Sequence, residues 1–270
     1  MKNGNKYLLV GVITLGLLLG SVGNAAAITH GQLDGGRHPY VGLLIFDVAG
    51  DPAWECSGVL IAPTVVLTAG HCTSGEGEEV TGGRIWFDPS VNDPSFPFSG
   101  GTSIEFASIH TDPAFCIACA HGLPGFDTHD VGVVILSRPV TDRGFAVLPS
   151  LGFADALPKG TAVTVVGYGV QTFTRGKPPH EGLADNNRYF ATSMVVPSND
   201  VIHSEFIKLS LNPAQGKGGT SFGDSGGPAL VGNIIVGLTA FGNNGTCTGV
   251  GYEYRIDTPE ALAYINSFSH

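Results

Sequence analysis

Three short segments carry the side chains needed to turn a serine on a carbonyl carbon. Ser225 lies in Gly223-Asp224-Ser225-Gly226-Gly227-Pro228, where three glycines let the backbone turn sharply and approach a ligand closely. His71 lies in Leu67-Thr68-Ala69-Gly70-His71-Cys72, directly after an apolar stretch. Asp130 opens Asp130-Val131-Gly132-Val133-Val134-Ile135-Leu136. A serine hydroxyl becomes a strong nucleophile only with a base in hydrogen-bond reach. That base is commonly a histidine held in one tautomer by a buried carboxylate. The tetrahedral oxyanion then needs preorganised donors, often backbone N–H groups beside glycine. Singly, each segment has a plainer reading: a glycine-rich turn, a structural histidine, an acid at a strand boundary.

Together the three segments resemble the three signatures of the trypsin/chymotrypsin-like serine protease family, in the family's order of His, Asp and Ser. The resemblance runs from Ile28 to the C-terminal helix. It implies an all-β fold of two antiparallel six-stranded β-barrels with a short C-terminal helix. Residues 28–147 would form the first barrel and carry His71 and Asp130. Residues 148–270 would form the second, with Ser225 and the helix. In the implied roles Ser225 is the nucleophile, His71 the base and Asp130 the group that orients it. The N–H groups of Gly223 and Ser225 would form the oxyanion hole. Cys56 and Cys72 match a disulfide beside the histidine. Gly167-Tyr168-Gly169 is similar to the start of an activation-sensitive loop, and Ala240-Phe241-Gly242 resembles the edge that pairs with a substrate backbone. Chain order separates this reading from the α/β-hydrolases, which also carry G-x-S-x-G but place the histidine after the serine. Here the only histidine after Ser225 is His270, the last residue.

The resemblance also implies an activation step. Ile28-Thr29-His30-Gly31 resembles the family's mature start, so a freed Ile28 ammonium is expected to pair with Asp224. Substrate-binding positions carried over are Gly219 and Thr220 at the base of the specificity pocket, Phe241, and Gly242 at its entrance. Gly219 stands where trypsin-type members carry Asp, so an apolar or aromatic residue is expected before the scissile bond. Glu253 threatens that expectation if it points inward; otherwise it is solvent-facing or paired with an arginine. Cys247 matches half of a family bridge whose other position is Ser221 here, so it is expected to be unpaired or to have an unexpected partner. With five cysteines, at least one thiol is free or paired between chains. A local disulfide is expected for Cys116 and Cys119. A zinc site with His121 or His129 lacks a second cysteine pair, and a redox motif lacks its thioredoxin-like context.

These side chains must be positioned by strands. Short runs rich in Val, Ile, Thr and Phe are separated by Gly, Pro, Asn and Asp. They predict strands at Val41–Phe46, Gly58–Ile61, Val65–Ala69, Val131–Leu136, Ala162–Gly167, Tyr189–Val196, Phe206–Leu211 and Ile234–Phe241. One helix is expected at the end, capped by Thr258 with Pro259 at its first position and Leu262, Ile265 and Phe268 on its apolar face. Asp88–Ser103 and Gln171–Asn187 read as loops, and a junction between two groups of strands is expected near Phe145–Leu151.

Composition narrows the function. The 270 residues are 43% apolar and only 13% charged, which argues against disorder. A formal net charge of -10 with no basic run argues against nucleic acid as a partner. Lys2 and Lys6, an apolar run from Tyr7 to Gly20, and Ala25-Ala26-Ala27 make residues 1–27 a signal peptide. That run falls short of the ~20 residues that span a bilayer. The expected product is a secreted, monomeric endopeptidase acting on protein or peptide substrates. It is expected to need no cofactor or metal, and to have no membrane partner after signal removal. Two competing readings are a catalytically silent binding module, which usually loses a triad residue, and an esterase, which would spare an unstrained protein.

Overall fold

The run Val65-Val66-Leu67-Thr68 is too short for a helix and rich in β-branched residues, and it pairs antiparallel with Gly132–Leu136. The register is Val65↔Ile135, Leu67↔Val133 and Thr68↔Gly132, which sets the end of one strand beside the start of the other. His71 follows the first strand and Asp130 precedes the second, so this register alone brings the two side chains to one end of the sheet.

The computed structural model describes residues 28–119, 127–173, 182–197, 205–212, 218–242 and 247–268. The signal segment expected over residues 1–27 lies outside them. In chain order the strands are β1 (Gln32–Leu33), β2 (Val41–Val48), β3 (Asp51–Ala62), β4 (Val65–Thr68), β5 (Val80–Trp86), β6 (Ile104–Thr111) and β7 (Gly132–Leu136). Then come β8 (Ala162–Gly167), β9 (Thr172–Phe173), β10 (Gly182–Leu183), β11 (Tyr189–Met194), β12 (Phe206–Leu211), β13 (Pro228–Val231), β14 (Ile234–Gly242) and β15 (Gly249–Tyr254). Two helices complete the fold, α1 (Gly70–Ser74) and α2 (Pro259–Asn266), with short 3-10 turns at Gly75–Gly77 and Ala154–Ala156.

Six strands close a barrel in the order β2-β3-β4-β7-β6-β5. Successive side chains of a strand point to opposite faces. Leu44, Phe46, Val66 and Val134 therefore fill the barrel with Leu60 and Ile85, while Val41, Leu43, Leu67 and Val133 face the other way. That outer face packs against Val166, Leu230, Ile235 and Leu238 of the later strands. Burial on both faces explains why these strands read as continuous apolar runs rather than alternating ones.

The later strands depart in detail from a second six-stranded barrel. Among the described residues they form a seven-stranded antiparallel sheet, β1-β11-β8-β13-β14-β15-β12. The seventh member is β1, because Gln32 and Leu33 pair with Phe190 and Tyr189. The β12 edge meets the chain just beyond β11 through the bridge Val195↔Leu209, with Val196 N donating to Lys208 O at 3.0 Å.

The helix α2 starts where expected. The Thr258 hydroxyl accepts from Ala261 N at 3.3 Å and Pro259 takes the first turn. Its buried face is Ala261 and Ile265, with Leu262 and Phe268 only partly covered, which corrects the expected apolar stripe. The helix reaches back to the first barrel, where Tyr264 Oη donates to His110 O at 2.9 Å. No helix among the described residues is long and apolar enough to cross a membrane.

Candidate active site

His71 sits in the first turn of α1, immediately after β4 delivers it. A Cβ on the preceding Gly70 would stand 2.9 Å from the Phe115 ring, 3.0 Å from Val131 N and 3.2 Å from Asp130 Oδ1. Glycine there lets the helix start press against the Asp130 segment. Asp130 is almost fully buried and its carboxylate accepts twice from the same residue. His71 N donates to Oδ1 at 2.8 Å, and His71 Nδ1 lies 2.9 Å from Oδ2. A carboxylate is acceptor-only, so Nδ1 carries the proton and Nε2 is left with its lone pair.

Ser225 lies between two glycines in left-handed conformation, Gly223 at φ 89° and Gly226 at φ 76°. A Cβ on Gly226 would fall 2.1 Å from Thr68 Oγ1 and 2.4 Å from Ala69 N, so only glycine lets this loop lie on the end of β4. Ser57 N donates to Ser225 O at 2.8 Å and ties the loop to β3. Ser225 and His71 consequently line one cavity of about 530 Å³.

The loop's backbone donors alternate. Asp224 N donates to Ser221 O at 3.0 Å, Gly226 N to Thr239 O at 2.8 Å and Gly227 N to Asp224 O at 2.8 Å. The N–H groups of Gly223 and Ser225 have no acceptor among the described residues. Two unengaged donors flanking a serine are suited to receive an oxyanion.

Asp224 is fully buried beneath the serine. Its carboxylate accepts from Gly169 N and from Ser221 N, each at 2.8 Å. Burial pushes it up to about 8, with the charges of Glu253 and Glu55 adding to the rise. No ion pair to it is found among the described residues. Ile28 itself is buried among Val163, Val165 and Ala191. The next residue bridges to the expected pocket, with Gly219 N donating to Thr29 O at 3.0 Å.

The remaining expected positions lie in the second sheet. Phe241 stacks on Tyr252 with ring centroids 4.7 Å apart, and a Cβ on Gly242 would meet only Cys247 Cα at 4.0 Å. Gly219 and Gly251 both pack on Leu211, which is itself buried. Thr220 is buried and its hydroxyl donates to Glu253 Oε1 at 3.4 Å. Glu253 is neither solvent-facing nor arginine-paired: it is fully buried, and burial pushes it up to about 7. Arg255 instead binds Asp257 and Asp155.

Both expected disulfides are present, Cys56–Cys72 and Cys116–Cys119, and Cys247 is a free, buried thiol raised by burial. Cys56, His71 and Cys72 have the closeness of metal ligands, but the two sulfurs are bonded to each other.

Two contributors escape sequence reading. Ser57 Oγ donates to Gly223 O at 2.9 Å and accepts from Tyr168 N at 3.1 Å, fixing the serine loop. Glu55 lines the cavity with Ser225 and His71. Their only sequence signal is adjacency to Cys56.

The sequence matches the trypsin family over residues 32–265. It is similar to a trypsin of Saccharopolyspora erythraea, 27% identical over 216 residues, covering 76% of this chain and 82% of the relative. It is also similar to a chymotrypsin of Phaedon cochleariae, 27% identical over 230 residues, covering 82% and 71%. A brachyurin of Leptuca pugilator is 26% identical over 225 residues, covering 81% and 86%. Among solved structures, HL collagenase superposes with a TM-score of 0.64 at 18% identity, covering 87% of this chain and 94% of that one. Human heparin binding protein does so with a TM-score of 0.63 at 17% identity, covering 88% and 95%.

Proposed function

This chain belongs to the trypsin family and is a serine endopeptidase, and we propose from that premise that Ser225, His71 and Asp130 are its catalytic triad. The observation that carries the proposal is the His71–Asp130 contact on the wall shared with Ser225. His71 Nε2 takes the Ser225 proton as Oγ attacks the scissile carbonyl. Asp130 stabilises the imidazolium that results. The oxyanion is received by Gly223 N–H and Ser225 N–H. His71 then gives its proton to the leaving amine, and water hydrolyses the acyl-enzyme by the same steps.

The proposed substrate preference is an apolar or aromatic residue before the scissile bond. Gly219 and Gly251 pack on the apolar Leu211, and burial raises the nearby acid Glu253 to about 7, which disfavours its charge. Profiling the mature enzyme on a denatured protein by mass spectrometry checks this. Cleavage after Phe, Tyr, Leu and similar residues is expected; dominant cleavage after Arg or Lys overturns the preference.

Activation is proposed to follow removal of residues 1–27, an export signal, which frees the Ile28 ammonium to pair with Asp224. A buried carboxylate without a cation is costly, and an ammonium relieves that cost. The sign of the pH effect follows. In the unprocessed chain Asp224 holds its proton more tightly folded than unfolded, so stability falls as pH rises from about 4 to about 8. Pairing removes that loss, so the mature chain outlasts the precursor most above pH 8. N-terminal sequencing of secreted, active enzyme should read Ile28 first; any other start contradicts the step.

A further inference from the structure

The cavity beside the nucleophile has a wall that the chemistry above does not use. Among the described residues that line it, the one ionisable side chain apart from His71 is Glu55, set on β3 among Trp54, Val170 and Phe222. The carboxylate is partly buried, and burial raises it above its ordinary range. It makes no hydrogen bond or ion pair with any described residue. It also lies against the serine loop: a Cβ on Gly223 would stand 2.8 Å from Glu55 Oε1.

Which part of a substrate reaches this wall follows from the direction of the reaction. Gly219, Thr220 and Gly242, proposed to hold the residue before the scissile bond, do not line the cavity. The leaving nitrogen must lie near His71, which protonates it. His71 and the Cys56–Cys72 disulfide do line the cavity, so the chain beyond the bond runs into it.

Resting on the reading of Ser225 as nucleophile, we propose that Glu55 receives a cationic side chain, Arg or Lys, from the first or second substrate residue after the scissile bond. A carboxylate half-removed from water with no partner gains most from a guanidinium or ammonium that brings its own charge. The apolar neighbours suit the methylene stem of either side chain. The pairing also assists the chemistry. A bare negative charge against Gly223 opposes the developing oxyanion, and a bound cation cancels it.

The test uses quenched peptides identical up to the bond, carrying Arg, citrulline or Glu at each of the two following positions. Citrulline keeps the shape of Arg without its charge. The mature wild-type enzyme should favour Arg over citrulline by about tenfold in kcat/KM at one of these positions, equivalent to ~1.4 kcal/mol. In Glu55→Gln that ratio should fall to near one, and Glu55→Arg should favour Glu. Each ratio is internal to one preparation, so partial loss of folded enzyme does not move it. A wild-type ratio near one, or a ratio that survives in Glu55→Gln, overturns the proposal while leaving the triad intact. Failure to cleave any peptide overturns the nucleophile reading and this proposal with it.

Discussion

Replacing Ser225 with alanine is expected to lower hydrolysis of a denatured protein substrate by about 10⁶-fold in kcat. The substitution removes one oxygen atom. The contacts that fix the loop are backbone contacts: Ser57 N to Ser225 O, Gly226 N to Thr239 O and Ser57 Oγ to Gly223 O. None involves the serine hydroxyl, so the variant should fold, bind substrate and keep its circular dichroism spectrum. A small residual rate over water is expected, because the substitution spares both free backbone N–H groups of the loop, which still polarise a bound carbonyl. Turnover within tenfold of wild type would show that another group attacks.

Asp130→Asn should cost about 10⁴-fold in kcat near neutral pH with little change in KM. The side chain keeps its shape, so its oxygen can still accept from His71 N, as Asp130 Oδ1 does at 2.8 Å. The other position becomes an NH₂ donor facing His71 Nδ1, where Oδ2 now lies at 2.9 Å. Two donors cannot share one contact, so the imidazole switches tautomer and Nε2 carries hydrogen toward Ser225. The base is lost although the histidine is present. A variant that keeps more than a tenth of wild-type kcat would remove Asp130 from the account. Steady-state kinetics beside a thermal melt separate this loss from unfolding.

The segments of the proposed triad were legible because each signature is local. The glycines around Ser225, the strand before His71 and the strand after Asp130 reflect close approaches that leave a mark in adjacent residues. The helix α2 was legible for the same reason, through Thr258 and Pro259. Other strands were hidden. No strand was predicted over β5, whose Gly82 and Gly83 weaken the pattern, yet Gly83 is there because a Cβ would stand 2.3 Å from Ile45 O and 2.4 Å from the Phe106 ring. Arg84 of the same strand is buried against Asp47, a partner far back in the chain. β15 was likewise not predicted: Gly249 has a left-handed φ of 93° with open space around it, and Gly251 packs on Leu211.

Long-range placement was the least readable. Nothing near Glu253 marks it as a fully buried acid, since its surroundings come from Thr220 and Thr239 on other elements. Glu55 lies outside the predicted strand at Gly58–Ile61 and has no signal of its own until the Gly223 loop folds against it. The make-up of the second sheet was equally opaque, because β1 joins it from the start of the described chain and the β12 edge meets the chain beyond β11 only through Val195 and Leu209. Sequence therefore exposed the proposed reacting groups, whose signatures are local. It left the walls proposed to select a substrate, which are assembled from distant segments, to the three-dimensional structure.

The central claim is that Ser225 is the activated nucleophile. It is tested most directly by treating the mature enzyme with a fluorophosphonate, which bonds covalently only to an activated serine, and mapping the adduct by peptide mass spectrometry. The account predicts one adduct, on Ser225, formed together with loss of protein hydrolysis and absent from Ser225→Ala. An adduct on a different serine, or full inhibition with Ser225 unmodified, would contradict it.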